Sequence, residues 1–597
     1  TFSRGSNLAA TRVDADGLIE KGRENVLLQS NNFGTTWARN NTSVTSGQSG
    51  YDGSSDAWKM ISGASGTYSM VSQSYSGSGV HTLSLYAKAA EWNYIALFME
   101  AGGGASKGAI FDLTTGALTN TIFGSLISYS SNSAGNGWWK LSITLTGAIT
   151  GANIYLCEVG TSHTSNNNDG TSGVYIQDAQ LEQSLVATDY IETSASTAQA
   201  GILEDLPRLD YSGGATCPSL LLEGSRTNLI DYSEYFGGWS ITRVAVNSNA
   251  DDSPEGRANA TKVVPNTSSG EHFVARGGFN RTAGEYLSHT IYAKADGYDY
   301  LYISNGASRL YGIYNLSNGS VEYVNSNGVD FTNHSASVES VGNGWYRCTL
   351  IGQALVTVST YMRLACAPYL ANTHTPSFAG DGTSGALIYG AMVESNAAYP
   401  TSYIPNYGTS QTRAKDSCVN STVATSTDFT IFFEAKDFCL INGSIGGVFA
   451  GIQFVFSADG TPYPSNGSYH IYNNSLFYWN GSTNTNFGAI YNSQTDSKFA
   501  LVKRGNKGII YANGVKKTEV TLPSGSDAKV INWDTINLTE ASLTDGSGNL
   551  FNPYYQQLLK FNTALSNTDL ETLTLPTTDS YTTFASMATA LNYTIYE

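Results

Sequence analysis

The stretch "GNGWYRCTL" (342–350) has a near-copy in the same chain, "GNGWWKLSI" (135–143). Each opens on Gly-Asn-Gly, a tight-turn signal, and runs through two aromatics into residues of alternating polarity. That pattern is a strand leaving a hairpin. The paired aromatics could form a sugar-stacking platform or the start of a buried strand. Successive strand residues face opposite ways. One aromatic of each pair is therefore expected in the core and the other outward or under a loop. Trp138 and Trp345 hold the same place in both copies, while the neighbour changes from Trp139 to Tyr346. The motif marks the fold more than a site.

Working outward from it, residues 22–195 lie over residues 224–407 in the same order. "GRENVLLQSNNFGTTW" (22–37) answers "GSRTNLIDYSEYFGGW" (224–239), and "HTLSLYAKAAEWNYIALFM" (81–99) answers "YLSHTIYAKADGYDYLYIS" (286–304). "DGTSGVYIQDAQLEQSLVATDYI" (169–191) answers "DGTSGALIYGAMVESNAAYPTSYI" (381–404). This is a duplicated module with loop insertions, and the unit is too long for a solenoid repeat. Period-two alternation and frequent Asn-Gly and Asp-Gly turns predict short antiparallel strands in two sheets. Tyr86-Ala87-Lys88 with Tyr292-Ala293-Lys294, and Glu182 with Glu394, are shared and read as architecture.

Residues 1–21 form an N-terminal arm and 196–223 a linker or arm. From 408 to 597 the pattern changes to a third β-domain. "FALVKRGNKGIIYANGVKK" (499–517) reads as strands joined by Gly-Asn and Asn-Gly turns. Ser566 and Asp569, with Leu565, Leu570 and Leu573, predict a capped short helix after the last strand. The expected fold is all-β: three tandem β-sandwich (jelly-roll) domains, the last with that helix.

Composition narrows the function. Charged residues are 13% of the chain, where about 25% is usual. The formal net charge is -17, and no basic run is present. Phosphate binding needs clustered Lys and Arg, so nucleic acid is excluded as the expected partner. No apolar run is long enough for a transmembrane helix, so no membrane insertion is expected. The first residues carry neither a signal-peptide core nor a Met, which suggests a processed or trimmed product or a fragment. Cys157, Cys217, Cys348, Cys366, Cys418 and Cys439 show no CxxC spacing and read as buried small hydrophobes. Cys348 with Cys366 is the one pair weighed as a cross-strand bridge.

The strand–"YANGVKK"–strand segment followed by "LLKFNTALSNTDLETL" resembles the laminin-G-like, concanavalin A-like lectin/glucanase superfamily. The duplicated modules resemble the carbohydrate-binding-module-like jelly rolls of bacteriophage tail and head fibre proteins. That resemblance is carried by "ATRVDADGLIE" (10–20), the openings at 25–33 and 228–236, "YAKA", "GNGW" and the "DGTSG…YI" endings. It implies a virion-surface fibre protein, homo-oligomeric and often trimeric. Its implied partners are other virion proteins and host-surface or environmental glycans. Two alternatives stand beside it: a structural capsid-decoration or tail protein with no glycan ligand, and a secreted bacterial adhesin.

No catalytic constellation is expected. Concanavalin A-like hydrolases use paired carboxylates on one strand face. Glu434 and Asp437 are the nearest pair, and their spacing puts them on opposite faces of a regular strand. Neither a G-x-S-x-G elbow nor H-E-x-x-H is present. Carbohydrate contacts are instead expected from aromatics where the copies differ: Trp92 and Tyr94 in the first, Tyr298, Tyr300 and Tyr302 at period two in the second, and Trp479 in the third module. The oxygen-rich loops "NNNDGTSG" (166–173) and "AGDGTSG" (379–385) offer Asp169 and Asp381 as ligands for a structural calcium ion. A plain Asp-Gly turn explains the same residues. No other cofactor is expected.

Overall fold

A computed structural model of the chain describes residues 2–66, 68–204, 206–214, 218–369, 373–418, 428–436, 453–455, 468–472, 475–479, 484–489, 497–521, 554–561 and 563–575. Their named strands all pair antiparallel, and turns and loops make up most of the rest.

In the first repeat two long strands, Ser69–Ala89 and Trp138–Cys157, pair along nearly their whole length. Their register slips between Ile149 and Gly151, and glycines 77, 79, 147 and 151 cluster at that bend. Beyond the bend each strand enters the opposite layer. One layer continues through Tyr94–Ala101, Lys107–Asp112 and Leu118–Ile122, the other through Gly173–Glu182, Ala57–Ser62 and Thr42–Gln48. Leu83, Leu85, Leu97, Leu141, Ile154 and Ile176 fill the space between.

The second repeat has the same strand order with the corners cut. Phe273–Arg281 and Tyr286–Asp296 replace one long strand, and Tyr346–Ala354 and Val358–Ala367 the other. Two six-stranded sheets result, facing each other across Leu287, Ile291, Leu301, Ile303, Leu350 and Leu364. Polar anchors repeat as well. Asn25 donates to the carbonyls of Ala179 and Ile191, and Asn228 to those of Ala391 and Ile404. Glu182 accepts the backbone N–H of Thr188 at 2.9 Å, and Glu394 that of Thr401 at 2.9 Å. These shared acids hold the chain return, as architecture.

The Gly-Asn-Gly-Trp motifs resolve in an unexpected sense. Trp138 and Trp345 are buried, but Trp345 sits on the outer side of its sheet, under the N-terminal arm. The second aromatics, Trp139 and Tyr346, turn toward the sandwich cores. The tryptophan is buried because other chain segments cover that face.

The arm supplies much of this cover. Ala9 and Ile19 pack with Tyr292, Trp345, Tyr389 and Tyr403. Lys21 passes beneath, its ammonium 2.9 Å from Glu234 and 2.7 Å from Glu255, with the Tyr407 hydroxyl at 2.9 Å. A second buried network joins Arg4, Arg208, Glu223, Arg413 and Asp416. The linker also does more than connect. Arg208–Asp210 and Ser219–Leu221 form the edge of a seven-stranded sheet with the strands Tyr554–Phe561, Phe429–Lys436, Ser497–Arg504, Lys507–Ala512 and Val515–Thr521.

Against that sheet lies the helix Asn567–Thr574. The Ser566 hydroxyl caps it by accepting the Asp569 N–H at 3.2 Å, and Leu565, Leu570 and Leu573 pack on Phe432, Val502 and Ile509. Cys157, Cys348 and Cys366 are free and buried, so the weighed Cys348–Cys366 bridge is not formed. Those two cysteines lie on opposite sheets of one core.

Candidate functional site: an aromatic sheet face

The strand Tyr300–Asn305 sorts its residues by parity. Leu301 and Ile303 enter the core, while Tyr300 and Tyr302 face outward. Register then aligns neighbours on that outer face: Tyr302 stands opposite Ile313 on one side and Ala365 on the other. Ile313 in turn stands opposite Tyr323. Phe273 and Phe378 complete the cluster.

Tyr302 is 1% exposed and forms the floor. Phe273, Tyr300 and Tyr323 are half-buried around it. Tyr369 leans on Tyr300 with ring centroids 5.0 Å apart and is itself 45% exposed. Arg363 lies over Phe273, its guanidinium carbon 3.8 Å from the ring centroid, and donates to the Thr375 hydroxyl at 2.8 Å. Asn315 donates toward the Tyr300 hydroxyl at 3.3 Å and toward Glu322 at 3.3 Å. Half-exposed rings beside amide and carboxylate groups can stack on a sugar ring and hydrogen-bond its hydroxyls.

The first repeat carries a more closed version. Tyr94, Phe98 and Tyr155 occupy the corresponding outer face, and His163 stacks on Phe98 with centroids 6.0 Å apart. Burial lowers the His163 pKa, and that of His374, which meets Tyr311 edge-on in the second repeat.

The other sequence candidates separate. Trp92 is buried in the first core, which removes it from any exposed platform. Tyr298 matches it: the Trp92 N–H donates to Gly173 and the Tyr298 N–H to Gly385, at 3.1 and 3.0 Å. Tyr298 therefore precedes the strand, packs on the core margin and meets Phe378 edge-on. The expected three-tyrosine row reduces to Tyr300 and Tyr302. Trp479 ends the strand Ser475–Trp479, and its side chain lies outside the described residues. Phe273, Tyr323, Arg363 and Tyr369 were not singled out from the sequence. They come from separate strands and a loop, and only register brings them together.

Asp169 and Asp381 hold matching turns. Asp169 accepts the N–H groups of Thr171 and Ser172, each at 2.8 Å. Asp381 accepts those of Thr383 and Ser384 at 2.8 and 2.7 Å. Hydrogen bonds from Ser172 and Ser384, respectively, head the causes that hold both carboxyls well below the usual range. Among the described residues, no three His, Cys, Asp or Glu side chains converge as a metal site. Glu434 pairs with Lys498 at 3.4 Å, and Asp437 lies outside the described residues. Among the described residues, no helix is long and apolar enough to cross a membrane.

No family model and no curated protein matches the chain. Among solved structures it is similar to the N-terminal CBM22-1-CBM22-2 tandem domain from Paenibacillus barcinonensis Xyn10C. The identity is 12% and the TM-score 0.17, over 60% of this chain and 92% of that one. At that score the likeness assigns neither fold nor ligand.

Proposed function

We propose that this chain is a non-enzymatic glycan-binding protein of the virion-fibre kind, head or tail, whose repeats are carbohydrate-module-like jelly rolls and whose last module is lectin-like. The observation that carries the binding function is the outer face of the second repeat. There Tyr300, Tyr323, Tyr369 and Phe273 stay half-exposed around a buried Tyr302. Partly exposed rings beside hydrogen-bonding groups supply the combination that sugar stacking uses. The ordered motifs that resemble those of phage fibre modules support the virion setting, with other virion proteins and host-surface glycans as partners and a homo-oligomer, of the trimeric kind that the resemblance implies, as the working form. The turns at Asp169 and Asp381 remain the places to look for calcium.

The test is a glycan array carrying host capsule and lipopolysaccharide, probed with and without chelator. Saturable binding that disappears in a Tyr300→Ala/Tyr369→Ala variant supports the proposal. A folded variant that binds as the parent protein does would overturn the assigned face. Loss on chelation alone would bring calcium in.

A further inference from the structure

We propose that a cavity between the N-terminal arm and the second repeat is a separate saccharide site, taking one or two uncharged, hydroxyl-rich sugar rings. The cavity measures about 270 Å³. That is just under the lower end of the roughly 300–1,000 Å³ of pockets for drug-sized ligands, a size for a small guest.

Three segments build its walls: the arm hairpin, the 210–214 segment, and the second repeat around Tyr292 and the 339–343 turn. Its floor is apolar, since Tyr292 and Tyr403 belong to the aromatic cluster beneath the arm. Its rim is polar. Three carboxylates, Asp16, Asp210 and Glu339, and two guanidiniums, Arg12 and Arg347, line it.

These charges have different duties. Asp210 is a wall brace, accepting the N–H groups of Val13 at 2.8 Å and Ser212 at 3.1 Å. Arg12 is paired with Glu20 at 2.6 Å. Arg347 donates to the Thr401 carbonyl and lies over the Tyr292 ring at 5.7 Å. Asp16 and Glu339 are exposed and in no ion pair of the described residues, so their oxygens are available to a ligand. With Arg12 taken up by Glu20, three carboxylates face Arg347, a small negative balance that disfavours an anion. Among the described residues no three of them converge to hold a metal cation. The walls offer donors and acceptors side by side around the half-buried Tyr211, the accessible ring of the lining, while Tyr292 and Tyr403 close the floor beneath. Sugars fit that combination, because their hydroxyls both donate and accept while their C–H faces lie on aromatic rings.

This site rests on the glycan-binding reading but not on the sheet face that carries it. The test is calorimetric titration of the full chain with glucose, galactose, mannose, N-acetylglucosamine and their disaccharides, with glucuronic acid and glucosamine as charged controls. Ser340, exposed at the cavity edge, is changed to Trp to fill the mouth. The expected result, in a Tyr300→Ala/Tyr369→Ala background that disables the sheet face, is one-to-one binding of an uncharged sugar, weakened at least tenfold when Ser340→Trp is added. Equal binding by the folded Ser340→Trp variant overturns the site, as does a preference for either charged control. Array binding that responds only to Tyr300→Ala sinks this site and leaves the sheet face standing. No sugar binding in either assay sinks both.

Discussion

Lys21 of the arm places its ammonium 2.9 Å from the Glu234 carboxylate, where neither side chain reaches solvent. Burial alone would lower the lysine pKa, but Glu234 and Glu255 outweigh it and the net shift is upward. The ion cluster therefore fixes the arm to the second repeat. Lys21→Met removes the cation that bridges the two buried carboxylates, leaving Glu255 its longer contact to Arg257 at 3.7 Å. Breaking such a cluster costs about 3–5 kcal/mol. The expected outcome is a lower unfolding midpoint in urea and faster proteolysis within residues 4–21. Unchanged values for both would show that the arm is held without the lysine.

How much of this could be read beforehand depends on distance along the chain. The Ser566–Asp569 cap and its leucines are local, and the helix Asn567–Thr574 stands where the sequence put it. The duplication was legible because Asn25 and Asn228, or Glu182 and Glu394, recur in order with the same bonds. Parity within one strand was legible too, and it correctly placed Tyr300 with Tyr302. It failed at Tyr298, because alternation says nothing about where pairing begins. Tyr369 and Phe273 were out of reach, since they join Tyr300 and Tyr302 only through strand register and loop path. The burial of Trp345 under the arm is likewise a tertiary contact with no local signature.

Asp178 stands at φ 56°, where the second repeat has Gly390 at φ 65°. Burial, first, and nearby Asp56 and Asp52 push its pKa up to about 7, although the Tyr51 hydroxyl donates to it at 2.9 Å. Between pH 4 and 7 the folded state keeps a proton that the unfolded chain has released, so this residue lowers stability as pH rises across that window. Asp178→Asn keeps an acceptor and tolerates the left-handed backbone. The variant should gain on the order of 3 kcal/mol over wild type between pH 4 and pH 8. Denaturant titrations at the two pH values check this, and a constant difference would refute it.

His289 titrates in the opposite sense. Burial holds its pKa down at about 4, with Asn305 2.8 Å from one ring nitrogen and the Leu350 carbonyl 3.3 Å from the other. The unfolded chain takes up a proton near pH 6.5, so stability contributed by the neutral ring is lost as pH falls from about 6.5 to 4. The first repeat has Leu83 at the corresponding place. His289→Leu should be destabilised at pH 7 because the Asn305 amide nitrogen loses its ring partner, while its oxygen keeps the Thr360 hydroxyl. It should also lose about 3 kcal/mol less than wild type on acidification to pH 4. Parallel pH profiles for the two proteins would rule out a neutral buried histidine.

The two repeats meet at a point where no side chain fits. The Val80 N–H donates to the Tyr407 carbonyl at 2.6 Å, and Gly79 precedes it at φ +93°. A Cβ on Gly79 would stand 1.9 Å from that carbonyl oxygen, a clash with backbone that no rotamer relieves. Gly104 separates the two costs. Its φ is +76°, but nothing lies within 4 Å of its Cβ position. Gly104→Ala therefore meets only the left-handed backbone penalty, about 1 kcal/mol. Gly79→Ala meets the same penalty and must also push the repeats apart, so its loss should exceed that of Gly104→Ala by at least about 2 kcal/mol. Hydrogen exchange should show the Val80 amide losing protection in Gly79→Ala alone. Equal losses for the two alanines would mean that the contact between repeats yields freely and contributes little to holding them together.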